Sequence, residues 1–398
     1  MPGAGVCASD APPLPPEHHA AAPADIPAEL PGGTPRALPG ADPLPPPPVR
    51  PENRRRASGL LGNVPTAVVV AALLAVIAVA AVLAVGVGAV VIPPGQVLSA
   101  VGRGIDGAAT TGDDFIIWRL RVPRVLEALL VGAGLAVAGV LVQVLVGNPI
   151  ADPFTLGLSS GASLGAVTVI TTLGIGTAAG LTLPLGAFTG AAAAGAVVFL
   201  CATSLAGLSA SRLVMVGIAV GHLLSGVTSF LILRTGDAEA TQQVMYWLLG
   251  SLSGANWELL RIATVPVAAT LAMLPFLVRR LDLLALGDTT AAALGIHPGR
   301  TRIGIFVVAA VLTGTVVAIS GTIGFVGLVV PNFARMLVGG LHSRILPVAL
   351  LLGALLMLLA DTGARMLLAP TELPVGILTA AIGVPAFVLV VRRAGRTR

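Results

Sequence analysis

Residues 118–166 read WRLRVPRVLEALLVGAGLAVAGVLVQVLVGNPIADPFTLGLSSGASLGA. Arginines crowd its start, an apolar run fills about 125–147, an Asn-Pro-Ile turn interrupts it, and a second apolar run begins at Leu156. An α-helix rising about 1.5 Å per residue needs roughly 20 apolar residues to cross a ~30 Å hydrocarbon layer, and runs of this length meet that requirement. Peptide groups in lipid need internal partners, so long apolar runs fold as helices, whereas a barrel would show short alternating segments.

Working outward, further runs fall near 65–92, 156–175, 183–207, 213–233, 257–278, 303–320, 323–338, 345–368 and 375–391. With 125–147 they make ten, the eighth being the shortest, and the expected fold class is an all-α polytopic membrane protein with ten transmembrane helices. Composition agrees, because 56% of the 398 residues are hydrophobic and only 10% charged, against about 25% charged in soluble chains. The first run far exceeds a signal-peptide core of about 7–15 residues and has no small-residue cleavage site after it, so it reads as a retained span. Residues 1–58 are Pro/Ala-rich and cannot bury a core, which predicts a disordered tail with polyproline II stretches, leaving 59–398 as the membrane domain.

All 23 basic residues are arginine. Without lysine the chain has no phosphate-binding G-x-x-x-x-G-K-[ST] loop and no lysine Schiff-base chemistry; a GC-rich genome would explain the bias. Clustered basic surface with interleaved aromatic groups is lacking, so no nucleic-acid partner is expected. Cys7 in the tail and Cys201 in an apolar run do not suggest a disulfide, and the five histidines show no metal-ligand spacing. No catalytic residue and no metal site emerge.

Arginine placement sets orientation. With both termini cytoplasmic, the tail, the inner loops and the C-terminus hold Arg36, Arg50, Arg54, Arg55, Arg56, Arg212, Arg279, Arg280, Arg300, Arg302, Arg335, Arg344, Arg392, Arg393, Arg396 and Arg398. The outer face keeps Arg103, Arg119, Arg121, Arg124, Arg234, Arg261 and Arg365, sixteen against seven. Small residues inside the spans, Gly132, Gly134 and Gly139 among them, allow close helix contact.

Three segments stand apart from generic membrane packing: 118–166; RRLDLLALGDTTAAALGIHPGR at 279–300; and 320–387, with SGTIGFVGLVVPNFARMLVGGLHSRILP and ADTGARMLLAPTELPVGILTAAIGVPAF. In the first, Arg121 and Arg124 lie three apart and so share a helix face. In the second, Gly287 and Gly295 bracket a unit that suits a short helix, with Asp288 near its N-terminus where negative charge is favoured; an ordinary loop would also fit. In the third, Asp361 and Arg365 lie four apart, and since a lone charge at mid-bilayer costs ~2.5–3.5 kcal/mol, they are expected to pair.

The L-R-x-P-R, N-P-x-A-D-P, L-A-L-G, G-F-x-G-L-x-x-P and E-L-P-x-G strings together closely resemble the permease family that imports iron–siderophores, haem and vitamin B12, over about residues 66–393. The resemblance implies a type II ABC importer permease fold in a bacterial cell membrane, without cofactor, working with two ATPase subunits that use ATP and Mg. It further implies an extracytoplasmic substrate-binding lipoprotein, a second permease subunit (identical or paralogous) and, as the commonest cargo, a ferric siderophore; haem and cobalamin share the scaffold. On it, Arg121, Arg124 and Arg365 would receive glutamates of the binding protein, a role suited to a planar, permanently charged guanidinium; lipid-headgroup anchoring would use the same residues. Leu286, Gly287, Asp288, Ala293, Leu294 and Gly295 would couple to the ATPase. Asn148, Pro149, Ile150, Ser209, Ala210 and Ser211 would form the cytoplasmic gate, with Ala210 where the vitamin B12 permease has threonine.

Two departures accompany the resemblance. Asn332 stands where many members have histidine, and His222, in the fifth span where the family is usually small or aliphatic, is expected to be a packed or hydrogen-bonded core histidine, with a place on the pathway as the alternative. An ion-coupled transporter would need deep acids, of which only Asp361 is offered, and a membrane enzyme would need a cluster of acids or histidines.

Overall fold

The computed structural model describes residues 59–88, 91–108, 112–174, 180–204, 207–368 and 371–395. The expected tail, residues 1–58, lies outside them, as do Cys7, its arginines, Arg396 and Arg398. The described residues form a helical bundle. Its elements are α1 (Thr66–Gly86), α2 (Pro94–Ile105), α3 (Gly112–Val146), α4 (Leu158–Leu173), α5 (Thr182–Ala202), α6 (Ala210–Thr235), α7 (Ala238–Leu249) and α8 (Trp257–Leu284). They continue with α9 (Asp288–Ala293), α10 (Pro298–Ser320), α11 (Val326–Val338), α12 (His342–Met366) and α13 (Val375–Gly395). Two antiparallel two-residue strands, Thr203–Ser204 and Gly207–Leu208, join α5 to α6.

Among the described residues, seven helices are long and apolar enough to cross a membrane: α1, α3, α5, α6, α8, α10 and α12. The shorter apolar α4, α11 and α13 coincide with the expected third, eighth and tenth spans. Several boundaries differ from expectation: the fourth span ends at Ala202 rather than 207, the sixth runs on to Leu284 rather than 278, and the first two differ as follows. The first run splits after Gly86, because Pro93 and Pro94 cannot continue a helix through their missing amides and instead start α2. The second span begins at Gly112, earlier than the expected 125, because charged Asp113, Asp114, Arg119 and Arg121 sit on continuous helix that hydropathy does not register.

Local sequence explains the ends. The side chains of Asp237 and Asn256 accept from the backbone N–H of Glu239 and Leu259 at 2.9 and 3.0 Å, supplying acceptors to first-turn amides. Gly147 closes α3 with φ 70°, a left-handed value that glycine adopts without a Cβ penalty. Residues 116–121 of α3 form a wider π-helical turn just before the body that starts at Val122.

Helix α3 is the central post: 83% of its apolar window is buried, against 11% for α6. It packs along α12, α10 and α11, while α4 lies against α5 and α6. Dispersion, not hydrophobic exclusion, favours such contact in lipid, so backbones must come close. A Cβ on Gly132 would overlap the Gly353 carbonyl of α12, and one on Gly139 would overlap the Gly327 carbonyl of α11. Both obstacles are backbone and cannot rotate away.

This contact yields a direct test. Gly139→Val should separate α3 from α11 and destabilise the detergent-solubilised protein by about 1–3 kcal/mol, as overpacking does. Thermal unfolding followed by fluorescence should show a lower midpoint; an unchanged midpoint would mean that the two helices do not depend on this contact.

Candidate functional site

One end of the bundle carries α2, α7 and the junction of α12 with α13. Here the three expected docking arginines come together, but inside the protein. Arg121 is 8% exposed and donates to the carbonyls of Val85 and Gly86 at 2.9 and 3.1 Å. Arg365 donates to the carbonyls of Ala84 and Val87 at 3.2 and 3.3 Å. Those of Ala84, Val85 and Gly86 are the last carbonyls of α1, which have no intrahelical partner, and Val87 is its cap, so two cations close the negative end of its dipole.

Arg124 reaches the other way. Its Nε donates to both oxygens of Asp361 at 3.0 and 3.2 Å, and its Nη1 to both oxygens of Glu372 at 3.1 and 2.8 Å. Asp361 is fully buried and also lies 3.2 Å from Arg365, so the expected i,i+4 pair exists within a larger cluster. The closer partner of Asp361 is Arg124, at 2.9 Å, on a helix 237 residues away in sequence. Glu372 is half exposed at 45% and forms the lid of the cluster. Beside it Glu127 is 1% exposed, and neither carboxylate oxygen meets a donor among the described residues. Sequence reasoning missed both: Glu127 lies three residues from Arg124 on α3, a spacing that could have shown it, whereas Glu372 meets Arg124 across 248 positions and no local spacing links them.

At the same end the Trp257 indole N–H donates to the Trp118 carbonyl at 2.7 Å, and the two rings lie 4.8 Å apart, fastening the start of α8 to α3. The opposite end holds the two other expected groups. Gly287 and Gly295 adopt φ of 95° and 86°, left-handed values suited to glycine, and bracket α9, with Asp288 as its first residue. Leu286 and Leu294 are exposed at 61% and 52%, unusual for leucine on a polar connection, and Ala293 is exposed too, whereas Ala291 is buried. Asp288 accepts a bidentate fork from Arg302 on α10 at 2.7 and 2.8 Å.

A cavity of about 880 Å³ opens beside this fork. Asn148, Ser209, Ala210 and Ser211 line it together with Asp288 and Arg302, so gate and coupling residues face one space. Ile150 does not line it and is 52% exposed. The Asn148 side chain accepts from the Ile150 N–H at 3.0 Å, tightening the turn, and Asn332 donates to the Pro149 carbonyl at 2.9 Å. Asn332 in turn accepts from Arg335, which also donates to Gln143 of α3 at 2.5 Å. Thus the turn after α3 is held to α11 by a polar network that sequence spacing did not show. Farther along the same connection, Asp152 accepts from the Phe154 N–H at 2.8 Å while desolvation pushes its carboxyl up to about 6.

His222 corrects an expectation: it is exposed on α6, not packed, because α6 turns most of its surface away from the rest of the chain. No group of three or more metal-ligating side chains occurs among the described residues.

Comparison with known proteins follows the same strings. Residues 73–393 match the model of the FecCD transport family. The Fe(3+)-citrate import system permease protein YfmE of Bacillus subtilis is 37% identical over 311 residues, covering 78% of this chain and 90% of that protein. The hemin transport system permease protein HmuU of Yersinia pestis is 40% identical over 281 residues, covering 70% and 83%. Among solved structures, a metal-chelate type ABC transporter in an inward-facing conformation superposes with a TM-score of 0.71 at 32% identity, covering 82% of this chain and 99% of the other.

The charge cluster makes a sharp prediction. Asp361→Asn removes the carboxylate between two buried guanidiniums, and breaking a buried pair costs about 3–5 kcal/mol. Thermal unfolding in detergent should drop accordingly, and Asp361→Ala should not be milder. A midpoint equal to wild type would show that the cluster does not hold α12 to α3.

Proposed function

We propose, from the premise that this chain belongs to the FecCD transport family as the permease subunit of a metal-chelate type ABC importer, that its cargo is a ferric siderophore moved by ATP-driven alternating access. The observation that carries the reading is the cavity at which Asn148, Ser209 and Ser211 meet Asp288 and Arg302. The end of α3 and the start of α6 line it together with Asp288, next to the exposed Leu286 and Leu294, which supports the reading.

In this reading the α9 end is cytoplasmic, and ten spans cross the membrane with both termini inside. Separate ATPase subunits, one for each of two permease copies, grip Leu286, Leu294 and the short helix between them, and ATP with Mg is consumed there. The nearly unburied α6, with Met215, Leu223, Phe230 and Leu233 exposed at 61–83%, gives an apolar face for a second permease subunit across a central pathway. The permease itself makes and breaks no covalent bond. Its task is to hold two conformations a few kcal/mol apart, which docking and nucleotide bias in turn.

At the opposite end an extracytoplasmic binding lipoprotein docks. Arg121 and Arg365 are engaged with α1 carbonyls, so Arg124 is the arginine closest to exchange. A glutamate from the binding protein takes the place of half-exposed Glu372 on Arg124, keeping Asp361 on its other edge. Bidentate carboxylate geometry makes that exchange nearly even in energy.

The cargo assignment rests on the iron-citrate and siderophore permeases among the relatives; haem or cobalamin is the second reading, supported by permeases of 40% and 39% identity named for those cargoes. A strain lacking this gene should lose uptake of radiolabelled ferric siderophore and regain it with a plasmid copy. The same plasmid carrying Leu294→Glu should fail to restore uptake, with the protein present in the membrane at wild-type level. Loss of hemin or cobalamin uptake with intact siderophore uptake would replace the cargo, and full function of Leu294→Glu would remove the coupling assignment.

A further inference from the structure

The segment between α8 and α10 is attached to the bundle unequally. Before it, Asp282 near the end of α8 accepts from the backbone N–H of His342 at 3.0 Å and lies 2.7 Å from its ring Nδ1, so the end of α8 is tied to the start of α12. After it, Asp288 in α9 and Arg302 in α10 form the two-bond fork. Among the described residues from 285 to 297, the fork is the only side-chain hydrogen bonding; every other bond in this stretch is a local backbone one. Gly287 and Gly295 flank α9, so its backbone connections are the most compliant available. A six-residue helix between two glycines would otherwise be free to rotate on its single buried residue, Ala291.

Arg302 is well placed to prevent that rotation. Its side chain is 13% exposed while Asp288 is 52% exposed, so the cation is the desolvated member and the carboxylate is brought to it. Its Nε is enclosed and meets no acceptor among the described residues, which leaves Asp288 as the partner that satisfies the guanidinium. A planar fork resists twisting in a way that one hydrogen bond does not. Both residues also line the cavity that holds Asn148, Ser209 and Ser211.

We propose that Arg302 is a positioning residue that makes α9 and the start of α10 move as one body, so that displacement of α9 by a partner swings α10 at the cavity and leaves α8, held by His342, behind. The inference rests on the reading of α9 as the coupling helix, but the mechanical claim is narrower: rigidity belongs to the α9–α10 pair and to its fork. Arg302 touches neither cargo nor nucleotide in this account. It acts through Asp288.

Distance measurement between spin labels tests this in the assembled permease–ATPase complex in nanodiscs. Cys7→Ser and Cys201→Ser remove the native thiols, and nitroxides are placed at Ala292→Cys on α9 and Val307→Cys on α10, both exposed positions. The fork predicts one narrow distance distribution, the same without nucleotide and after trapping with ATP and vanadate. Arg302→Met should lose the single peak and make the distribution nucleotide-dependent, whereas the exchanged pair Asp288→Arg with Arg302→Asp should recover it. A purely structural role would lower stability in the exchanged pair as in the single variant and would not restore the peak. The proposal is overturned if Arg302→Met keeps the wild-type distribution in both states, or if the exchanged pair, assembled with its ATPase, stays as broad as the single variant. Failure here with Leu294→Glu still blocking uptake would remove the fork alone; free uptake by Leu294→Glu with a rigid α9–α10 pair would remove the coupling reading and keep the mechanics.

Discussion

Hydrocarbon gives a peptide group no hydrogen-bond partner and gives a charge no hydration, and each main feature of this chain answers that constraint. Backbone groups are satisfied along helices, and the central helix α3 packs by backbone approach at Gly132 and Gly139 together with fully buried Leu135, Leu141 and Leu145. Charges that do lie deep are mostly paired within the protein, buried Glu127 being the exception whose carboxyl oxygens meet no donor among the described residues. Asp361 sits between Arg124 and Arg365, and the open carbonyl end of α1 is closed by Arg121 and Arg365. The same constraint explains why those arginines are buried although their position in sequence suggested an outward face. An arginine near a helix end in lipid seeks carbonyls and carboxylates first.

The two ends of the bundle are built differently. At the α2 and α7 end, polar groups are consumed in an internal network whose one half-exposed member is Glu372. At the α9 end, polar groups surround an open cavity, and the connecting segment exposes Leu286 and Leu294 beside polar Asp288, Thr289 and Thr290. In the proposed reading, one end serves recognition by carboxylate exchange and the other a grip by an apolar groove. A chain without any lysine has no phosphate-binding loop to drive movement between them. That division of labour is what a permease of an ABC importer requires.

Much of this was legible in the residues. Apolar run length located the helices, and two glycines eight residues apart marked α9, because left-handed backbone has few other occupants. The four-residue spacing of Asp361 and Arg365 exposed half of the charge cluster. The other half was hidden, since Arg124 and Asp361 are separated by 237 positions and nothing local links them. Arg335 looked like a loop cation and is instead bound to Gln143 and Asn332 between α3 and α11. His222 looked like a core residue because hydropathy cannot tell a helix face turned to the bundle from one turned away. Contacts within one turn can be read from spacing; contacts between turns of different helices are fixed by packing alone.

The central claim is that this chain supplies a pathway and borrows its motor. Vesicles reconstituted with the permease alone, and with the permease plus its ATPase subunits, binding protein and MgATP, can be compared for accumulation of labelled ferric siderophore. Accumulation above the external concentration is expected only in the second set and only with hydrolysable nucleotide. Accumulation by the permease alone on a proton or sodium gradient would contradict the account.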